Sequence, residues 1–290
     1  MEPGLIIALS ITLVVAVLLI VFNSTPSDAA KYKKTLEYVR FDTEDVLTEE
    51  LLKKRLHLVQ LDTYWERLCP LLQYEIALKI NPCDEDSIKI GSSKIGGYPH
   101  LPLQMQINSC WMFIAQINCS EIKPFDRENL FPSEGILYFF LDLSKLTNKE
   151  KDAVEIVYFQ DITNLKMNAE ILTLPDVYPG SLQFLEGGGL PQYDTDVIKN
   201  MLKDYEIDGY FKATNREQSH KMGGYPDTIT QDFQLNNDKI LLLQLDSDQG
   251  TGLLWGNMGR LFVFADKQSV LSCKFDKIYS YIQSYEEIAH

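Results

Sequence analysis

The chain has 290 residues, 45% of them hydrophobic and 11% aromatic, which is ample material for a buried core, and it carries a formal net charge of −14. That acidity repels phosphate backbones, and the run Lys31-Tyr32-Lys33-Lys34 is too short to reverse it, so no nucleic-acid partner is expected. Five cysteines, odd in number and scattered without a C-x-x-C pair, read as reduced thiols rather than a disulfide framework.

From Leu5 to Phe22 the chain is uncharged and almost wholly apolar, close to the ~17–25 residues of a membrane-crossing helix. No Lys or Arg precedes the run, as a cleavable leader would require, so residues 1–23 are expected to form a retained transmembrane anchor. Lys31, Lys33 and Lys34 follow it directly and predict a single-pass protein, held in the membrane through residues 5–22, whose domain faces the cytosol. Residues 24–44 read as a linker and 45–290 as one domain.

Within that domain Leu51, Leu52, Leu56, Val59, Trp65 and Leu68 recur at roughly helical spacing, predicting a helix over 45–68 that Pro70 ends. Tyr74, Ile76, Leu78 and Ile80 alternate with polar or small residues, the period of a half-buried strand. The continuous apolar runs 112–117, 136–141, 240–245 and 261–265 predict central strands covered on both faces. Further strands are expected at 154–159 and 170–174, a loop at 186–191, a helix over 194–205 and a closing strand within 276–285.

The chain also repeats itself. Ser92-Ser93-Lys94-Ile95-Gly96-Gly97-Tyr98-Pro99 returns as Ser219-His220-Lys221-Met222-Gly223-Gly224-Tyr225-Pro226, identical at six of the eight positions. The stretch 113–117 answers to 241–245, and 135–142 to 259–266. Two copies are too few for a solenoid, so the expectation is an α+β fold: two related β-rich halves, with repeat units at about 74–142 and 210–266, packed as one globular body behind the N-terminal transmembrane helix.

The doubled S-x-K-[IM]-G-G-Y-P pattern, the apolar strands carrying Gln116 and Gln244, and the stretch from Leu243 to Asp248 followed by Gly252 to Leu261 together resemble the YwqG-like family, a domain of unknown function. The resemblance covers roughly residues 46–285 and implies an α+β fold of two related halves. It brings no established activity, cofactor or catalytic residue, and the N-terminal anchor departs from the soluble, cytoplasmic members usual in the family.

The residues offer several chemistries. The glycine pairs 96–97 and 223–224 suit either a sharp turn at positive φ or an anion-binding nest charged by Lys94 and Lys221 and flanked by Tyr98 and Tyr225. Asp246 and Asp248 precede glycines as in some calcium loops, but Gly250 and Asn257 stand where further ligands belong, so no metal is expected. Gln116 and Gln244 either satisfy backbone groups or, if their strands are neighbours, line a cleft between the halves with Trp111, Trp255 and Arg260. The histidines His57, His100, His220 and His290 lack paired ligand spacing, and no G-x-S-x-G elbow occurs. The expected function is therefore a non-catalytic binding or protein-interaction module without a cofactor, acting on the cytosolic face of a membrane. The alternative is an uncharacterised enzyme working on a small molecule in the cleft between the halves.

Overall fold

The computed structural model describes residues 27–41, 46–147, 152–216, 219–229 and 238–285. The expected membrane segment, residues 5–22, and His290 lie outside these residues; among the described residues no helix is long and apolar enough to cross a membrane.

Thirteen strands are described: β1 (Gln73–Pro82), β2 (Lys94–Ile95), β3 (His100–Pro102), β4 (Trp111–Asn118), β5 (Ile136–Asp142), β6 (Val154–Phe159), β7 (Leu165–Met167), β8 (Leu172–Thr173), β9 (Gly180–Gly189), β10 (Lys221–Gly223), β11 (Lys239–Asp246), β12 (Arg260–Asp266) and β13 (Ile278–Gln283). Eleven of them form one sheet in the order β13-β12-β11-β10-β1-β9-β2-β4-β5-β6, with β8 beside β4; β3 and β7 form a separate pair. The two ends of the sheet meet. Asp152 donates its N–H to the Ser280 carbonyl at 3.4 Å, Val154 donates to Ser280 Oγ at 3.1 Å, and Ser280 donates its N–H to Asp152 Oδ1 at 2.7 Å.

This corrects the α+β expectation. The domain is mostly β, a nearly closed barrel-like sheet, and the two copies are continuous parts of that one sheet. The physical reason lies at its centre, where the long antiparallel pair β1/β9, in register from Gln73↔Gly189 to Pro82↔Gly180, joins the copies by hydrogen bonds. Strand β9 includes the glycines read as a loop at 186–191, because the backbone of Gly187, Gly188 and Gly189 lies opposite Glu75, Tyr74 and Gln73.

Outward from that pair the copies match strand for strand. Lys94 sits opposite Gln116 and Lys221 opposite Gln244, and the β4/β5 and β11/β12 ladders both shift register, between Phe113 and Ala115 and between Leu241 and Leu243. The apolar runs are buried on both faces, as read. Ile117, Leu137 and Phe139 join Leu243, Leu245 and Val263 in one interior core, while Phe113, Tyr138 and Phe140 face outward into a second cluster with Leu101 of β3 and Leu165 of β7.

The three longest described helices share one cluster. The predicted helix over 45–68 is broken: Glu49–Leu58 is helical, Gln60 takes φ 59°, and two short helical turns follow, the second at Trp65–Leu68. Within the segment read as a linker, Asp28–Tyr38 is helical and buries Tyr32, whose hydroxyl donates to the Val59 carbonyl at 2.8 Å. Of the helix expected over 194–205 only the short turns Asp196–Lys199 and Asp204–Glu206 form; Ile207–Thr214, which was not expected, is the helix that packs here.

Candidate functional site

The lysines of the repeat, expected to charge an anion-binding nest, are fully buried. Each glycine pair does make a sharp turn at positive φ, 60° and 60° for Gly96 and Gly97, 69° and 67° for Gly223 and Gly224. The anion beside each turn is a carboxylate of the chain itself. In the first copy Glu85 pairs with Lys94 and accepts the Tyr98 N–H at 3.0 Å, and burial lowers the Lys94 pKa. In the second copy Glu75 of β1 lies 3.1 Å from Lys221 and also receives Arg216 through both terminal nitrogens. Tyr225, the counterpart of Tyr98, donates its hydroxyl to the Leu71 carbonyl at 2.9 Å.

Gln116 and Gln244 bind backbone. Gln116 donates to the Ser92 carbonyl at 2.7 Å and accepts the His100 N–H at 2.8 Å; Gln244 donates to the Ser219 carbonyl at 2.7 Å and accepts the Asp227 N–H at 3.0 Å. They do not share a cleft, because β2, β9, β1 and β10 separate their strands. Trp255 belongs to the interior core and Trp111 donates to Asp142 at 3.1 Å.

The structure does bring Asp246, Asp248 and Arg260 together. They line a cavity of about 330 Å³ with Met258 and Tyr285. A second cavity of about 470 Å³ shares Arg260 and Tyr285 with it and is walled by Tyr193 and Phe211, with Arg216 and Asp227 at its base. Both belong to the C-terminal copy, its neighbouring 189–193 segment and the Ile207–Thr214 helix, rather than to a cleft between the halves.

Arg260 is fixed from behind. Its Nε is 3.0 Å from Asp246 Oδ2 and its Nη1 donates to the Asp227 carbonyl at 2.5 Å, while Nη2 has no partner among the described residues. Asp246 also accepts the Ser219 N–H at 2.9 Å and the Gln244 amide at 3.2 Å; burial pushes its carboxyl up and Arg260 pulls it back. Asp227 lies 3.2 Å from Arg216 and 2.8 Å from Lys221. Burial raises its pKa, but Arg216, Lys221 and Arg260 outweigh that and hold the carboxyl far below the usual range. His220 accepts the Asp246 N–H on Nδ1 at 3.1 Å and turns Nε2 toward Asp248 at 3.6 Å, a contact that with Thr251 keeps Asp248 strongly acidic.

Glu75, Arg216 and Asp227, which complete this network, were not among the expected site residues. One signal was available: two lysines inside buried strand runs each require a carboxylate partner.

A family model described as a domain of unknown function, DUF1963, matches residues 93–283. The chain belongs to this family. The match takes in the second copy of the repeat whole and the first from Ser93 onward, ends at Gln283 of β13, and so includes Arg260 and nearly the whole network, Glu75 excepted. A comparison with curated proteins gave no match for the DUF1963 chain.

Proposed function

We propose that this DUF1963 domain is a YwqG-like, non-catalytic binding module whose C-terminal copy holds a ligand at Arg260. The observation that carries the reading is the guanidinium itself: two of its nitrogens are anchored by Asp246 and the Asp227 carbonyl, and Arg260 lines both cavities. A donor fixed in this way loses little side-chain freedom on binding, and cavities of this size suit a small ligand or a short segment of one. Proton-transfer chemistry fits less well, because Asp246 already accepts from Ser219 and Gln244 and is ion-paired with Arg260.

Native against denaturing mass spectrometry of the full chain, isolated gently from its host, tests the reading. A mass lost on denaturation from the wild type and absent from Arg260→Gln is the expected result; a lost mass that survives Arg260→Gln would place the ligand elsewhere. Attachment to a membrane, with the domain in the cytosol, is a separate proposal that rests on the hydropathy of residues 5–22 and the lysines after them. Alkaline extraction tests it, since release of the chain into the supernatant would remove it.

A further inference from the structure

The charges around Arg260 restrict what it can receive. Among the described residues Glu75, Asp227 and Asp246 balance Arg216, Lys221 and Arg260, all within one buried network. Asp248 adds a fourth carboxylate on the wall of the smaller cavity, 3.6 Å from the His220 imidazole. An anionic ligand would therefore meet no excess of positive charge to offset its desolvation, and it would approach a chain of net charge −14. A neutral acceptor such as an amide carbonyl needs only the open Nη2 hydrogen, and a cation suits the Asp248 end.

The larger cavity supplies the third feature. Tyr193 and Phe211 meet edge to face with ring centroids 5.0 Å apart, and both remain exposed, 37% and 43%, on its wall. Exposed aromatic rings beside a fixed donor form an anchor for an apolar group. Gln192 and Thr228, hydrogen-bonded to each other on the same wall, add polar groups at its rim.

Resting on the binding reading above, we propose that the ligand is an extended peptide segment lying across both cavities. A backbone carbonyl accepts from Arg260, an apolar side chain packs on Tyr193 and Phe211, and a lysine or arginine side chain reaches the Asp248 wall. The order of the three contacts follows from Arg260 being shared by the two cavities.

Fluorescence anisotropy with the full chain tests this. The probes are labelled octapeptides with blocked ends, each carrying one phenylalanine and one lysine separated by one to four residues of glycine and serine, and a matched set with glutamate in place of lysine. The expected result is saturable binding at one spacing in the lysine set, at least tenfold weaker in Arg260→Gln and several-fold weaker in Asp248→Asn and in Phe211→Ala. Because Phe211 is exposed, its variant keeps the test decisive if Arg260→Gln fails to fold. Equal binding of the glutamate set, or binding indifferent to Phe211→Ala and Asp248→Asn, overturns the proposal. If no peptide binds while the wild type still loses a mass on denaturation that Arg260→Gln lacks, the peptide is overturned and the Arg260 site stands; if that mass is also missing, both readings fall.

Discussion

Ile136 and Arg260 occupy the same place in the two copies of the repeat. Each opens the strand after a conserved-in-both-copies glycine and lies directly opposite the last residue of the preceding strand, Asn118 in one case and Asp246 in the other. The first copy therefore sets an amide beside a fully buried isoleucine, while the second sets a carboxylate beside an arginine at the junction of two cavities. A duplicated scaffold has kept its strand pairing and diverged in chemistry at this position.

Exchanging the second pair for the first tests that view. Arg260→Ile alone strands the buried Asp246 carboxylate and is expected to cost about 3–5 kcal/mol, the range for removing one partner of a buried pair. Adding Asp246→Asn, which reproduces the Ile136/Asn118 combination, should recover at least half of the loss, as read by urea denaturation. A double variant no more stable than the single one would show that Arg260 contributes through packing rather than charge.

The glycine pairs give a second test. At Gly97 a Cβ would stand 1.9 Å from Glu85 Oε2 and 2.9 Å from Pro179 Cβ, whereas at Gly224 the nearest approaches are 3.0 Å, to Glu75 Cβ and Oε2. Both positions carry the left-handed cost of about 1–2 kcal/mol for alanine. Gly97→Ala must in addition displace a carboxylate pinned by Lys94 and the Tyr98 N–H. It is expected to lower the melting temperature clearly more than Gly224→Ala, and equal shifts would refute the role given to Glu85.

How much of this was legible beforehand follows from the range of each interaction. The sharp glycine turns at 96–97 and 223–224 and the buried strand runs were legible because glycine conformations and strand burial are local properties. The barrel-like closure was not legible, since β9 carries three glycines that locally read as a loop and become a strand only through pairing with β1. Glu75 was assigned to a polar strand face by its alternation with Tyr74 and Ile76, yet it is 1% exposed because Lys221 and Arg216, some 140 residues away in the chain, meet it there. Arg260 and Asp246 were singled out from the sequence, but the cavities that give them meaning are formed by Tyr193, Phe211 and Tyr285, which carry no motif.

His100 predicts a pH dependence. Its Nδ1 accepts the Gly91 N–H at 3.1 Å and faces the Gln116 amide at 3.1 Å, so burial, with nearby Lys94, lowers its pKa to about 4. The unfolded chain, with a pKa of ~6.5, takes up the proton first. Stability is therefore fully present above about pH 6.5 and falls as the pH drops toward 4, by on the order of 3 kcal/mol if this group acts alone. Urea denaturation across that range should show the slope in the wild type and a much flatter curve in His100→Asn. An unchanged slope would assign it to other groups.

Glu75 is the hinge of the buried network, since one carboxylate on β1 faces both Arg216 and Lys221 and so ties the central strand to the C-terminal copy. Glu75→Gln keeps the shape but leaves Arg216, Lys221 and Arg260 against Asp227 and Asp246 alone, and Glu75→Ala also opens a void. Both are expected to cost about 3–5 kcal/mol, the glutamine variant included, because the uncompensated charge rather than the lost volume dominates. Joining Glu75→Gln to Lys221→Met removes one charge of each sign and should restore part of the stability, with the interaction term of the double-mutant cycle measuring the coupling. A glutamine variant as stable as the wild type would mean that the network contributes geometry alone, and Arg260 would then have to be held by Asp246 and the Asp227 carbonyl without its support.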